Sequence, residues 1–175
     1  MIIKKFFELE STNKEAKQMA EKGLGSWTVV SAKKQSAGYG KENVGWFSPE
    51  GGLYFSIILP KSQIEDLQTL TVLAAFIVAS TIKDKFGLEP LIKLPNDVLI
   101  KDKKVAGILT ENIIGKDVKL SVIGIGINTN TKSFPQELAN IATSLKMELG
   151  REVGSEDILK EVVEGLKKQL KTISG

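Results

Sequence analysis

The sequence predicts an α+β domain built on a mixed, largely antiparallel sheet flanked by helices. Three observations carry that prediction. Apolar runs rich in β-branched and aromatic residues cluster at 53–59, 91–94, 98–100, 105–109 and 120–127. Two long stripes at helical spacing accompany them, one through Leu67, Leu70, Ala74, Val78, Ile82 and Phe86, the other through Ile158, Leu159, Val162, Val163, Leu166 and Leu170. The strands follow one another instead of alternating strictly with helices, which argues against a wholly parallel sheet.

Along the chain, Ile2, Ile3, Phe6 and Phe7 mark a short first strand. Thr12 and Glu15 have the spacing of a capping box, so a helix is expected there, continued by Ala16, Met19 and Ala20 and ended by Gly23 and Gly25. A short strand is predicted at 27–30, and 35–45, polar and aperiodic with Gly38, Gly40 and Gly45, reads as an exposed loop. The run 53–59 is a buried strand stopped by Pro60. The long stripe from Leu67 is closed by Gly87 with Pro90 beyond it, and should lie across the sheet. Lys101-Asp102-Lys103-Lys104 splits two apolar runs as a charged, solvated hairpin tip. Pro135 suits the first turn of a short helix, and Ser155 should cap the last one, with Glu156 and Asp157 in its first turn.

Composition excludes whole classes of chemistry. The 175 residues, 42% hydrophobic and 26% charged, suffice for one core without a staple, so a single domain over 1–175 is expected. Cys and His are both 0, which removes thiol nucleophiles, disulfides, Cys/His zinc sites and Ser-His-Asp triads. The formal charge of +3, from 24 basic against 21 acidic residues, is too mild to predict a nucleic-acid partner. No uninterrupted apolar run reaches the roughly 20 residues of a membrane span, and residues 1–7 lack a secretory layout, so the expectation is a cytoplasmic protein without a membrane partner.

Four polar clusters interrupt the apolar scheme at strand ends, where a rigid scaffold leaves open ground. Ser11-Thr12-Asn13 is a helix start that can also hold a neutral polar head group. Gln35-Ser36-Ala37-Gly38-Tyr39-Gly40-Lys41 is either a flexible glycine turn or a loop bringing backbone N–H groups to a phosphate. In Ile92-Lys93-Leu94-Pro95-Asn96-Asp97, Lys93 sits between apolar neighbours. Either its ammonium is buried and needs an anionic partner, or the strand is an edge and it faces solvent. Gly124 and Gly126 point to one face of a strand, leaving it open for a ligand or for a closely packed helix.

In this order the clusters resemble the catalytic domain of biotin protein ligases, a family related in fold to class II aminoacyl-tRNA synthetases and to lipoate ligases. The matching pieces are Glu10-Ser11-Thr12-Asn13, Gln35-Ser36-Ala37-Gly38-Tyr39-Gly40, and Trp46-Phe47-Ser48-Pro49-Glu50-Gly51-Gly52-Leu53-Tyr54-Phe55-Ser56. Lys93-Leu94-Pro95-Asn96-Asp97, Lys104-Val105-Ala106-Gly107-Ile108-Leu109-Thr110-Glu111 and Gly124-Ile125-Gly126-Ile127-Asn128 complete them.

The resemblance implies an ATP-dependent ligase. It would join biotin to AMP, with Mg²⁺ on the phosphates and no protein metal ligand assigned, and pass the acyl group to a lysine of a biotin carboxyl carrier protein domain. Ser11, Thr12, Asn13, Gln35, Gly38, Tyr39, Gly40, Gly107 and Leu109 would hold biotin. Lys93 and Lys41 would be catalytic, with Lys93 between the biotin carboxylate and the α-phosphate. Lys41, Trp46, Asn96, Ile108, Gly126 and Asn128 would face ATP or the adenylate. The family's arginine-rich loop is replaced by Gly38-Tyr39-Gly40-Lys41-Glu42-Asn43-Val44-Gly45-Trp46, which keeps one cation and adds a carboxylate, and Leu94 stands where the family has Trp. The family's N-terminal DNA-binding domain and C-terminal β-barrel are not expected. A binding homologue without efficient turnover and a lipoate ligase stay open as alternatives, and an exposed strand edge offers a route to a homodimer.

Overall fold

The computed structural model describes residues 2–59, 66–114 and 119–174. Seven strands form one sheet: β1 (Ile2–Leu9), β2 (Thr28–Gln35), β3 (Leu53–Leu59), β4 (Leu91–Lys93), β5 (Asp97–Ile100), β6 (Lys103–Ile114) and β7 (Lys119–Ile127). Their spatial order is β1-β2-β3-β7-β6-β5-β4. Only β1 and β2 pair in parallel, joined by α1 (Thr12–Glu21), because parallel neighbours need a crossover; every other pairing is antiparallel. The expected mixed, largely antiparallel sheet is therefore what the chain forms.

Each face of the sheet has its own core. On one face α2 (Leu67–Phe86) and α4 (Ser155–Ser174) cover Val29, Phe55, Ile57, Leu59, Ile108, Ile123 and Ile125. The other face packs Val30, Ile58 and Val122 against Ala16 and Ala20 of α1. The central strand β3 is buried along its whole length, which is why it reads as an unbroken apolar run. Helix α2 is held at its start by Asp66, which accepts from Thr69 N at 2.9 Å, and ends on Gly87 in the left-handed region at φ 67°. Among the described residues α2 is the one helix long and apolar enough to pass for a membrane span, yet half of it is buried within the fold, the mark of a core helix.

Several local expectations shift. The cap of α1 is Ser11, not Thr12, so the capping-box register is off by one and the Thr12 side chain is free for another partner. Trp27, at φ 64°, lies before β2, which runs on to Gln35. Pro135 opens a single turn, with Leu138 N and Ala139 N donating to its carbonyl, and the short helix comes later, as α3 (Leu145–Leu149) capped by Ser144. Ser155 is the first residue of α4 and its hydroxyl bonds Thr129 Oγ1 at 3.0 Å. Pro60 lies outside the described residues.

Helix α1 is short, and this positions the site. It covers the sheet over Val122 and, with Asn13 of its first turn, over Gly124, but it does not reach Gly126 farther along β7 or Gly107 opposite it on β6. The segment 36–47, which includes a 3-10 turn at Lys41–Asn43, folds over that uncovered end.

Candidate functional site

Beneath that segment is a cavity of about 280 Å³. One end is polar and uncharged. Ser11, Thr12 and Asn13 are each about 5% exposed or less, and their side chains are ordered by the surrounding framework. Thr12 N donates to Gln35 Oε1 at 2.7 Å, while Gln35 Nε2 donates to Ser48 Oγ at 2.9 Å. Ser56 Oγ, on β3, lies 2.8 Å from Thr12 Oγ1 and donates to Asn13 Oδ1 at 2.5 Å. Such a set can recognise a neutral polar ring by hydrogen bonds that were oriented before the ligand arrived.

The floor is made of missing side chains. A Cβ on Gly124 would overlap the Asn13 amide, and one on Gly126 would lie 2.5 Å from Trp46 Nε1. The close-packing alternative is realised at Gly124, which admits a residue of α1, while Gly126 admits the indole that walls the cavity. Gly107 is squeezed in the same way, with the Trp46 ring 3.0 Å and the Lys104 stem 3.2 Å from where its Cβ would be. Leu109 adds an apolar wall.

Of the two lysines that line the cavity, Lys41 and Lys104, the less exposed is Lys104. Its Nζ is 2.7 Å from Asp97 Oδ1 and 5.0 Å from the centre of the Trp46 ring. A second, apolar cavity of about 190 Å³, walled by Phe47, Phe134, Leu138 and Ile141, shares Val44, Gly45, Trp46 and Lys104 with the first. The ammonium and the indole thus stand at the junction of the two. Asn128 lines the second cavity; its Nδ2 donates to Thr143 O at 3.0 Å, bracing the strand of Lys104. Asn128 Oδ1 and Trp46 Nε1 are buried without a hydrogen-bond partner among the described residues. An acceptor and a donor left unsatisfied at one cavity ask for a ligand carrying both an amino group and a ring acceptor.

Lys93 is the principal correction. It is the last residue of the edge strand β4, exposed to solvent, and lines neither cavity. The alternative in which an edge-strand lysine faces water is the one the fold adopts, because β4 pairs only with β5 and leaves its other side open. Conversely, the supposed solvated tip is only two residues long: Lys101 and Asp102, at φ 49° and 63°, make the turn, and Lys104 is already in β6. Counting that turn as two residues would have brought Lys104 into the site.

Other candidates divide. Tyr39 and Gly40, expected at biotin, and Lys41, Asn96 and Gly126, expected at the nucleotide, all line the first cavity, where Lys41 is largely exposed and its nearest anion among the described residues is Glu42 at 3.9 Å. Gly38 does not line it: its position lets the backbone pass Ser48 Oγ and Gln35 Nε2, which would lie 2.6 and 2.8 Å from a Cβ. Ile108 buries its side chain at 2% exposure in the core against α2, so it offers the cavity only backbone. The loop is also less free than a glycine turn suggests. Tyr39 pairs with Gly45, Trp46 N donates to Gly38 O at 2.8 Å, and the Tyr39 hydroxyl donates to Glu111 at 2.9 Å.

Glu111, Lys17, Asp97 and Lys104 escaped sequence reasoning as site residues. Burial pushes the Glu111 carboxyl up, but hydrogen bonds from Lys17, Asn13 and Tyr39 outweigh it and hold the group below the usual carboxylate range. Burial acts against the charge of Lys17 too, and the bonds to Glu111 and Tyr39 raise it above the usual lysine range nonetheless.

Known proteins share this architecture. A sequence model of the biotin/lipoate A/B protein ligase family matches residues 7–128. The bifunctional ligase/repressor BirA of Bacillus subtilis is 40% identical over 160 residues, covering 89% of this chain and 49% of that protein. The biotin--[acetyl-CoA-carboxylase] ligase of Paracoccus denitrificans is 36% identical over 126 residues, covering 68% of this chain and 51% of that protein. Among solved structures, the biotin protein ligase of Aquifex aeolicus in complex with biotin and ATP superposes with a TM-score of 0.87 at 30% identity, covering 97% of this chain and 70% of that one. This chain spans about half the length of the curated relatives it matches. The match over most of the chain, on a sheet whose glycine floor and polar helix start were described above, establishes that the chain belongs to the biotin/lipoate A/B protein ligase family.

Proposed function

We propose that this chain is the catalytic unit of a biotin protein ligase, which makes biotinyl-5'-AMP from biotin and ATP and transfers biotin to a lysine of a biotin carboxyl carrier protein domain. The observation that carries the reading is the position of Lys104, at the junction between a polar-ended cavity and an apolar one that holds an unsatisfied donor and acceptor. Biotin would place its ureido ring at Ser11, Thr12, Asn13 and Gln35 and its chain along Gly107 and Leu109, which brings its carboxylate to Lys104. Adenine, with an amino group and ring nitrogens, would meet Asn128 Oδ1 and Trp46 Nε1, putting the α-phosphate at the same junction.

A carboxylate oxygen would then attack the α-phosphorus, forming the mixed anhydride as the bond to pyrophosphate breaks. Lys104 would neutralise charge on the phosphoryl oxygens, the contribution that usually dominates such transfers. In the second step the carrier lysine amine attacks the acyl carbon, AMP departs and the amine proton is lost. Magnesium would be carried on the triphosphate, where it screens phosphate charge. Among the described residues no group of three acidic side chains could hold it, and Asp97 is the one carboxylate lining the first cavity. Lys41 would approach the phosphates from the loop, while Lys93 is assigned no part in the chemistry. A cytoplasmic setting, a folded unit that carries the site on its own and a homodimer through a sheet edge belong to the same proposal.

The altered loop favours a second reading, a homologue that binds biotin without efficient turnover, since Lys41 is its only cation and Glu42 stands beside it. Incubation with biotin, MgATP and a carrier domain, followed by avidin detection of the carrier, separates the two. Labelled carrier supports the ligase; biotin binding with no label supports the second reading.

A further inference from the structure

One carboxylate behind the cavity ties together three elements that the chemistry would need held in place. Glu111 projects from β6 on the same face as Gly107 and Leu109, yet it does not line the first cavity. It accepts from Asn13 Nδ2 at 2.8 Å, from Lys17 Nζ at 2.8 Å and from the Tyr39 hydroxyl at 2.9 Å. Lys17 Nζ also reaches the Tyr39 hydroxyl at 3.3 Å. Asn13 and Tyr39 do line the cavity. We propose that Glu111 is a positioning residue whose Oε2 both latches the 36–47 segment over the cavity through Tyr39 and fixes the Asn13 amide, while its Oε1 pairs with Lys17.

Each bond has a distinct consequence. The amide of Asn13 is oriented because Nδ2 faces Glu111 while Oδ1 takes the Ser56 hydroxyl at 2.5 Å, so its oxygen cannot turn to the carboxylate. Gly124 leaves the space for that amide. Tyr39 ties the loop to the body of the fold by a hydrogen bond to Glu111, alongside the packing of the Trp46 indole over Gly107, Gly126 and Lys104, while Lys41, Glu42, Asn43 and Val44 between them are exposed. The ion pair with Lys17 keeps the carboxylate charged, and a charged acceptor holds a phenol more firmly than a neutral one. Tyr39 replaces an arginine of the family pattern, so the loop here is secured by a phenol against an internal carboxylate.

The test uses the full chain without ligand. Amide hydrogen exchange at Gly40 and Trp46, which donate to Val44 O and Gly38 O, reports opening of the loop. In Glu111→Gln these amides should exchange about tenfold faster, while those of β3 and β7 keep their rates. Tyr39→Phe, which removes a single oxygen, should do the same, and the double variant should add nothing further. Unchanged loop exchange in either single variant, or effects that add in the double one, would overturn the latch. A second arm, which rests on the proposed biotin reading, measures steady-state biotinylation by Glu111→Gln: KM for biotin should rise about tenfold with a smaller change in kcat. A fall in kcat with unchanged KM would contradict a positioning role. If the parent chain binds no biotin at all, the biotin reading fails while the exchange arm still decides the latch.

Discussion

Two lysines of the same charge, Lys93 and Lys104, differ by what surrounds them. Lys104 has an aspartate at 2.7 Å and an indole face at 5.0 Å, in a wall shared by two cavities; Lys93 has solvent. Replacing Lys104 with Ala should lower adenylate formation by about 10²-fold, the cost of removing one preorganised charge-stabilising group, whereas Lys93→Ala should remain within about threefold of the parent. The cavity glycines follow a different logic. Gly124→Ala would drive a methyl group into the buried Asn13 amide, so it should destabilise the fold by about 1–3 kcal/mol in a denaturant titration and weaken biotin binding together with it. Sequence spacing made the glycines legible because a strand alternates its faces. It could not separate the lysines, since whether a strand is an edge depends on pairings between distant segments, and β4 becomes an edge only once the whole sheet order is known.

At the level of elements, stability should follow the caps and the latch. Asp66→Ala removes the side chain that accepts from Thr69 N at 2.9 Å and should cost about 1 kcal/mol of global stability. The Glu111 latch carries a pH signature. Its carboxyl is held below the usual range in the fold, so its contribution is present above the unfolded carboxylate value and lost as pH falls through the lowered one. Lys17 is raised, so its part is intact below the ordinary lysine range and lost only as pH climbs past the raised value. Acid titration of the free chain should therefore loosen the loop below the ordinary carboxylate range, and Glu111→Gln should remove that component. Helices with a clear stripe and glycine stop, such as α2, could be read from their residues alone. The one-residue shift of the α1 cap could not, because Thr12 is drawn inward by Ser56 and Gln35, partners 44 and 23 positions away.

The whole molecule sets an uncovered stretch of sheet between a helix that is too short and a loop that folds back. The first and second cavities meet at Lys104, so ligands should stabilise the fold in combination. Biotin with MgATP should raise the melting temperature more than either alone, because an adenylate formed as proposed would span both cavities. Much of this plan was visible in the order of the motifs, although Lys93 lies outside both cavities. The closure of the loop was not, since Tyr39, Glu111 and Lys17 meet only through tertiary folding. The most direct measurement is biotin-dependent pyrophosphate release from MgATP by the parent chain and by its Lys104→Ala and Lys93→Ala forms. Release is expected from the parent and from Lys93→Ala, with near loss in Lys104→Ala; release that survives loss of Lys104 but not of Lys93, or none from the parent, would refute the role given to Lys104.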